Sequence, residues 1–351
     1  MSETSDVKNF SEENISYFNK LIFHPSFKKI INELSNLKIQ LPNNPLDFSF
    51  DFNLFGYPSD GKILMKIEED NKYILDSHNG QGYINSNLIT AYDESIIKFM
   101  GLEGTGYLTS HSLILHGKDD FIPNNFLTFY FYTKSNKICE QSKYIKYADD
   151  AELQSKYDYI KDRFDFLINN VPNNSILFID GPLIGKQMTH QTIDLNAQLS
   201  KKNIIPIFFV KNSDSNLVTE YSSNLKGLFN SDMHWSYKLL KPGERTSLYK
   251  YTDADSNEKA KFFCYLKAFD ISPIRIEIDI KTYLLNKEKF KDIFDLIYYL
   301  LIVQGDLKNP QLRSIAIAEK YARSTLNLIN FPQLMKDLGI TPTMNQERGF
   351  L

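Results

Sequence analysis

Cysteine is nearly absent from this chain: Cys139 and Cys264 are the two in 351 residues. They lie far apart and outside any metal-ligand spacing, which excludes a cysteine-built metal site, so both are expected as small residues of an apolar interior. A basic excess is also missing, since the formal net charge is -3. Affinity for DNA comes largely from displacing counterions off phosphates, and a protein that grips DNA unaided is usually basic. The charge balance therefore counts against a nucleic-acid function, unless the positive surface is local or a partner holds the nucleic acid. The first residues, Met-Ser-Glu-Thr-Ser-Asp, lack the apolar stretch of a signal peptide. The longest apolar run, Leu296 to Val303, is far too short to span a bilayer. A soluble, cytoplasmic protein with no membrane partner is therefore expected. No Walker A sequence occurs, so any ATP consumption belongs to a partner. No glycine-rich phosphate loop or nucleophile elbow supports a small-molecule α/β enzyme. The six histidines form no His-x-x-x-His pair.

Aromatic residues are plentiful at 14%, with 26 Phe and 21 Tyr, which points to a well-filled interior. Glu12 to Leu37 reads as helical, with Ile15, Phe18, Leu21 and Ile22 on one face, Pro25 interrupting and Asn43-Asn44-Pro45 as a break. Strands are predicted at Ile63 to Ile67, Tyr73 to Asp76, Tyr107 to His116 and Leu127 to Thr133, then a helix from Asp149 to Asn169. Ser175 to Ile179 and Ile204 to Val210 read as buried strands joined by a helix from Thr189 to Ser200, a parallel βαβ unit. Lys261 to Lys267 and Ile274 to Ile280 are further strands, the second alternating Ile274, Ile276, Ile278 and Ile280 against Arg275, Glu277 and Asp279. Helices from Lys287 to Gln304 and Gln311 to Asn327 follow. The simplest account is an N-terminal helical extension, residues 1–45, and one α/β domain, residues 46–351.

The sharpest local feature is Ile176-Leu177-Phe178-Ile179-Asp180-Gly181-Pro182, in which a buried strand delivers a carboxylate at its C-terminal end, where ligands collect in α/β sheets. Asp-Gly is also a common turn, so spacing alone leaves both readings open. Tyr73-Ile74-Leu75-Asp76 ends in a second carboxylate, followed by Ser77-His78-Asn79-Gly80. Two strand-terminal aspartates suit a two-metal nuclease, whose cations sit roughly 3.5–4 Å apart and need bridging hard oxygens. Should Asp76 not be the first ligand, Asp93 or Glu94 is next in line. Lys211, after a buried strand, could meet a scissile phosphate, and Arg245 could grip phosphate bidentately; solvated and structural roles are the alternatives. His78 is the histidine nearest these groups.

Several segments together resemble the NurA nucleases, partners of HerA-type hexameric ATPases in DNA end processing. They are Leu177 to Leu183, Phe209-Val210-Lys211-Asn212-Ser213, Ser231-Asp232 with Leu240 to Thr246, Pro273 to Glu277, and Ala316 to Arg323. The resemblance runs from about Tyr73 to the C-terminus and implies an RNase H-like core, a mixed sheet flanked by helices. It further implies dependence on Mn²⁺ or Mg²⁺, a homodimer, DNA as substrate, a HerA-like ATPase partner, and a setting in repair or anti-phage defence. By position, Asp180 matches the family's internal Asp-Gly aspartate, and Asp76 the aspartate that ends the first core strand, although Asp-Ser-His stands where Asp-Gly-Ser is usual. An acid on the helix before Asp180 is implied, for which Asp165 is preferred over Asp162. Where the family carries Tyr-Pro and Ala-His, this chain has Asn309-Pro310 and Ala318-Glu319. Glu319 either replaces the histidine as ligand or proton handler, or the C-terminal part of the site is lost. The second outcome describes a weakened subunit that caps or regulates the ATPase ring.

Overall fold

Runs of β-branched and aromatic residues pair into one large mixed sheet, and amphipathic helices cover its two faces. The computed structural model describes residues 26–39, 63–117, 120–140, 142–183, 189–222, 225–253, 256–305, 307 and 310–347. Contacts divide the chain into Met1–Asn43 and Asn44–Leu351. In the first unit, helix α1 (Ser26–Ser35) carries a Lys29–Glu33 ion pair at i,i+4 spacing, 3.7 Å long. The rest of the helix expected from Glu12, and the Asn43-Asn44-Pro45 break, lie outside the described residues.

The second unit opens with β1 (Ile63–Lys66), β2 (Lys72–Ile74) and helix α2 (Ser77–Ile84). The long strands β3 (Leu88–Met100), β4 (Thr105–His116) and β5 (Phe121–Thr133) follow as an antiparallel meander. Short α3 (Asn136–Cys139) and β6 (Ile145–Tyr147) lead into α4 (Ala151–Asn170), whose first turn is capped by Asp150 accepting from Leu153 N at 3.0 Å. Then β7 (Ser175–Asp180), α5 (Thr189–Lys201) and β8 (Ile205–Val210) form the expected parallel unit. After α6 (Leu217–Tyr221), α7 (Asp232–Leu239), β9 (Glu244–Thr246) and β10 (Tyr249–Asp253), strands β11 (Ser256–Lys267) and β12 (Ile274–Asp279) extend the sheet. Helices α8 (Ile280–Leu285), α9 (Phe290–Gln304), α10 (Arg313–Asn327), α11 (Phe331–Asp337) and α12 (Met344–Glu347) close the described chain.

The strand order is β1-β10-β11-β12-β8-β7-β3-β4-β5-β6, with β2 and β9 paired off this path. At its centre, β5-β4-β3 is antiparallel while β3, β7 and β8 run parallel, the arrangement of an RNase H-like core. The expected first core strand, Tyr73 to Asp76, is instead three-residue β2 on the short β9. The central position belongs to β3.

Side-chain alternation sorts the core into two layers. On the front face Ile89, Ala91, Phe178, Ile207 and Phe209 pack under α9 and α10, through Ile293, Ile297, Ile315 and Ala318. On the rear face Tyr92, Leu177, Ile179 and Phe208 pack against Phe166 and Leu167 of α4 and Leu195 and Leu199 of α5. The polar side of β12 is interior too: Lys261 and Arg275 bind Glu277 at 2.5 and 2.8 Å, and Leu183 N donates to the same carboxylate at 2.9 Å. Cys264 is buried as expected, whereas Cys139 sits half-buried at the end of α3 rather than in the apolar interior.

Candidate active site at the ends of β3, β7 and β8

The parallel register sets the site. Tyr92 lies beside Ile179, so the next residues, Asp93 and Asp180, follow side by side. Asp93 shares its parity with Ala91, and Asp180 with Phe178, which places both on the front face. Gly181 then turns the chain with φ +101°, a left-handed conformation that favours glycine, and its N–H donates to Phe209 O at 2.8 Å. That bond ties the end of β7 to β8. Lys211 follows β8 directly, and its ammonium lies 2.8 Å from Asp180 Oδ2. From above, α10 packs on β3 and β4 and brings Glu319 Oε2 to 3.7 Å from the same ammonium, while Arg323 Nη2 holds Glu319 Oε1 at 2.5 Å. The structure thus gathers Asp180, Lys211 and Glu319, all half-buried, and adds Asp93, which is 7% exposed.

Asp93 is the electrically strained member. Burial, then the negative charges of Glu94 and Asp180, push its carboxyl up to about 8, against the pull of the Glu94 N–H and Lys211. A divalent cation between Asp93 and Asp180 would relieve that repulsion, and carboxylate oxygens are the hard ligands that Mg²⁺ and Mn²⁺ prefer. The donor chemistry therefore fits such an ion, with Asp93 and Asp180 as the pair that would hold it and Glu319 within reach of the same corner. Among the described residues no three acidic, histidine or cysteine side chains already stand in a ligating group.

Other predicted site residues lie elsewhere. Asp76 does not end a core strand; it is the exposed N-cap of α2, accepting from His78 N at 2.8 Å and Asn79 N at 3.3 Å. That helix is seated on α9, with Asp76 N donating to Asp295 Oδ1 at 2.9 Å. A side chain at Gly80 would meet Asp295 O at 2.2 Å. Exposed His78 belongs to the same cap. On α4, Asp165 faces solvent, and Asp162 accepts from the Tyr130 hydroxyl of β5 at 3.1 Å. The face of α4 that meets β3 carries Tyr159 and Arg163 instead. Arg245 is buried, clamped by Glu68 through two 2.7 Å bonds and stacked between Tyr73 and Phe294 at 4.5 and 4.6 Å, so its guanidinium is spent inside the fold. Asn309 lies outside the described residues. Sequence reading ranked Asp93 behind Asp76. The missed signal was the strand around it, Leu88-Ile89-Thr90-Ala91-Tyr92, whose apolar run stops at Asp93-Glu94-Ser95.

An RNase H-like sheet with carboxylates at adjoining parallel strand ends defines the class. The NurA domain pattern matches residues 117–324, more than half of the chain, and the chain belongs to the NurA family. That span contains Asp180, Lys211 and Glu319; Asp93 lies before it and joins the site by geometry. No curated protein matches the sequence. Among solved structures, the NurA nuclease from Sulfolobus solfataricus is similar at 12% identity, covering 93% of this chain and 98% of that one, TM-score 0.44. Endonuclease V of Ciona intestinalis, in complex with a 24mer DNA containing an inosine, is similar at 14% identity over 70% of this chain and 87% of that one, TM-score 0.36. A NurA structure determined with manganese is similar at 10% identity over 71% and 92%, TM-score 0.33.

Proposed function

We propose that this chain is a metal-dependent nuclease that hydrolyses phosphodiester bonds of DNA. The observation that carries the reading is the pairing of Asp93 and Asp180 on one face of adjoining parallel strands, beside Lys211 and Glu319, in a chain of the NurA family. Asp93 and Asp180 would hold Mn²⁺ or Mg²⁺. When bound, such a cation supplies Lewis acidity toward the attacking water and the phosphate. Lys211 Nζ would meet a non-bridging phosphate oxygen as negative charge develops there. Glu319 Oε2 would take the proton of the attacking water, while Arg323 holds the other carboxylate oxygen. The net charge of -3 favours help in holding DNA, and a HerA-like ATPase ring feeding a homodimer supplies it.

Glu319 held by two cations, with no acid from α4 facing the site, also suits a weakened subunit that caps the ATPase ring. One experiment separates the readings: end-labelled linear DNA incubated in Mn²⁺, Mg²⁺ or EDTA with wild type and Asp180→Ala, each with and without the ATPase. The nuclease reading expects cleavage in metal, none in EDTA and none by Asp180→Ala. Cleavage by Asp180→Ala at the wild-type rate would refute the site, and no cleavage under any condition would favour the capping role.

A further inference from the structure

Behind Asp93, on the rear face of β3, lies a partly buried polar cluster that the proposed chemistry does not use. Glu94 accepts from the Tyr159 hydroxyl at 2.5 Å, and that hydroxyl in turn accepts from Arg163 Nη1 at 3.4 Å. Tyr159 and Arg163 are one turn apart on α4. The Tyr159 ring lies parallel to His111, 5.9 Å between centroids at 7°, and His111 Nδ1 meets the Tyr92 hydroxyl at 2.7 Å. Arg163 lies 5.2 Å over the Tyr92 ring. Burial, then the charge of Glu94, raises the pKa of Tyr159, so its hydroxyl stays a donor. These groups pin Glu94 to the helix behind the sheet.

From this geometry we infer that Tyr159 and Arg163, acting through Glu94, are positioning residues for the Asp93 carboxylate. The inference rests on the reading that Asp93 belongs to the active site. Two observations lead to it. The first is local: Asp93 Oδ1 accepts from Glu94 N at 2.8 Å, so the peptide between the two residues orients the carboxylate. The second is the sheet itself. Pairing of β3 with β7 runs from Leu88 to Tyr92 and stops there, so Asp93 and Glu94 keep a strand neighbour on the β4 side, Ser112 and His111. Where β7 no longer holds β3, the α4 side chains do.

The composition of this cluster argues the same way. Arg163 is 8% exposed, and its Nε and Nη2 are buried without a hydrogen-bond partner. Apolar side chains would fill the same helix–sheet contact at lower cost, since buried charge stabilises a fold poorly. A charged, directional clamp at that one point is explained by the carboxylate it orients. Groups that orient metal ligands from behind typically matter tenfold or more in metal affinity.

Mn²⁺ titration calorimetry on the full chain, at a temperature where every variant is folded by circular dichroism, tests the inference. Tyr159→Phe is expected to weaken Mn²⁺ binding by roughly tenfold. It should lower kcat on DNA while leaving KM for DNA unchanged. Tyr132→Phe is the control: it deletes a comparable hydroxyl bond, 2.8 Å to Asp158 of the same helix, and should bind Mn²⁺ as wild type does. Glu94→Gln, which keeps an oxygen for the Tyr159 hydroxyl, should bind Mn²⁺ more tightly than Glu94→Ala, which matches it in charge. Wild-type Mn²⁺ affinity in Tyr159→Phe, with affinity lost in Asp93→Asn, would overturn the clamp alone. Wild-type affinity in Asp93→Asn would overturn the site assignment beneath it.

Discussion

Removing the Asp93 charge should change how the metal-free protein responds to pH. In the folded chain this carboxyl keeps its proton up to about pH 8, against an ordinary value of 3.8. Because the folded pKa lies above the unfolded one, the contribution to stability is full below 3.8 and is lost as pH rises through 8. Over a range from pH 6 to pH 9 the folded protein must give up the proton, whereas the unfolded chain has already lost it. At 1.36 kcal/mol per pH unit, that interval costs about 3 kcal/mol. For a unit of this size the loss corresponds to roughly 5 °C in Tm. Asp93→Asn cannot ionise and should escape it. The assay is a pair of thermal melts in EDTA, at pH 6 and pH 9, for wild type and Asp93→Asn. Wild type should lose about 5 °C more than the variant between the two conditions. Identical pH dependence in the two proteins would refute the reasoning, because it would mean that Asp93 is already ionised at pH 6.

Two further outcomes are expected. Glu319→Gln should slow single-turnover cleavage by about ten- to a thousandfold, the range of a lost proton acceptor or electrostatic group, and an unchanged rate would leave Glu319 as the partner of Arg323 alone. Arg245→Met should cost about 2–3 kcal/mol, because it strands the Glu68 carboxylate, which also accepts from Leu248 N at 2.7 Å. DNA affinity measured on the folded variant should not change, and weaker DNA binding at an unchanged Tm would return Arg245 to the phosphate-binding surface.

What the sequence showed and what it hid follow from the range of the interactions involved. Strands β7 and β8 were legible as short apolar runs and helix α5 by the helical spacing of its buried Leu195 and Leu199, and the parallel pairing of the two strands brings Asp180 and Lys211 to one edge. Glu319 could be placed on the inward stripe of α10 by counting from Ile315, since helix phase is local information. The partner of Asp180 was harder. Strand β3 is buried on both faces up to Tyr92 and polar from Asp93 to Ser95, so it shows neither clean alternation nor a long apolar run. Meanwhile Tyr73-Ile74-Leu75-Asp76 imitates a strand end, although Asp76 followed by Ser77 and His78 equally fits a helix cap. On α4, Asp165 was preferred over Asp162; the sheet brings neither to the site, turning Asp162 toward Tyr130 of β5 and leaving Asp165 in solvent. Arg245 failed as a surface cation for the same reason of range: Glu68, which buries it, lies 177 residues earlier in the chain. The clamp at Tyr159 joins helix α4 to a strand 65 residues before it, and only the register of β3 against β7 shows why a clamp is needed at Asp93.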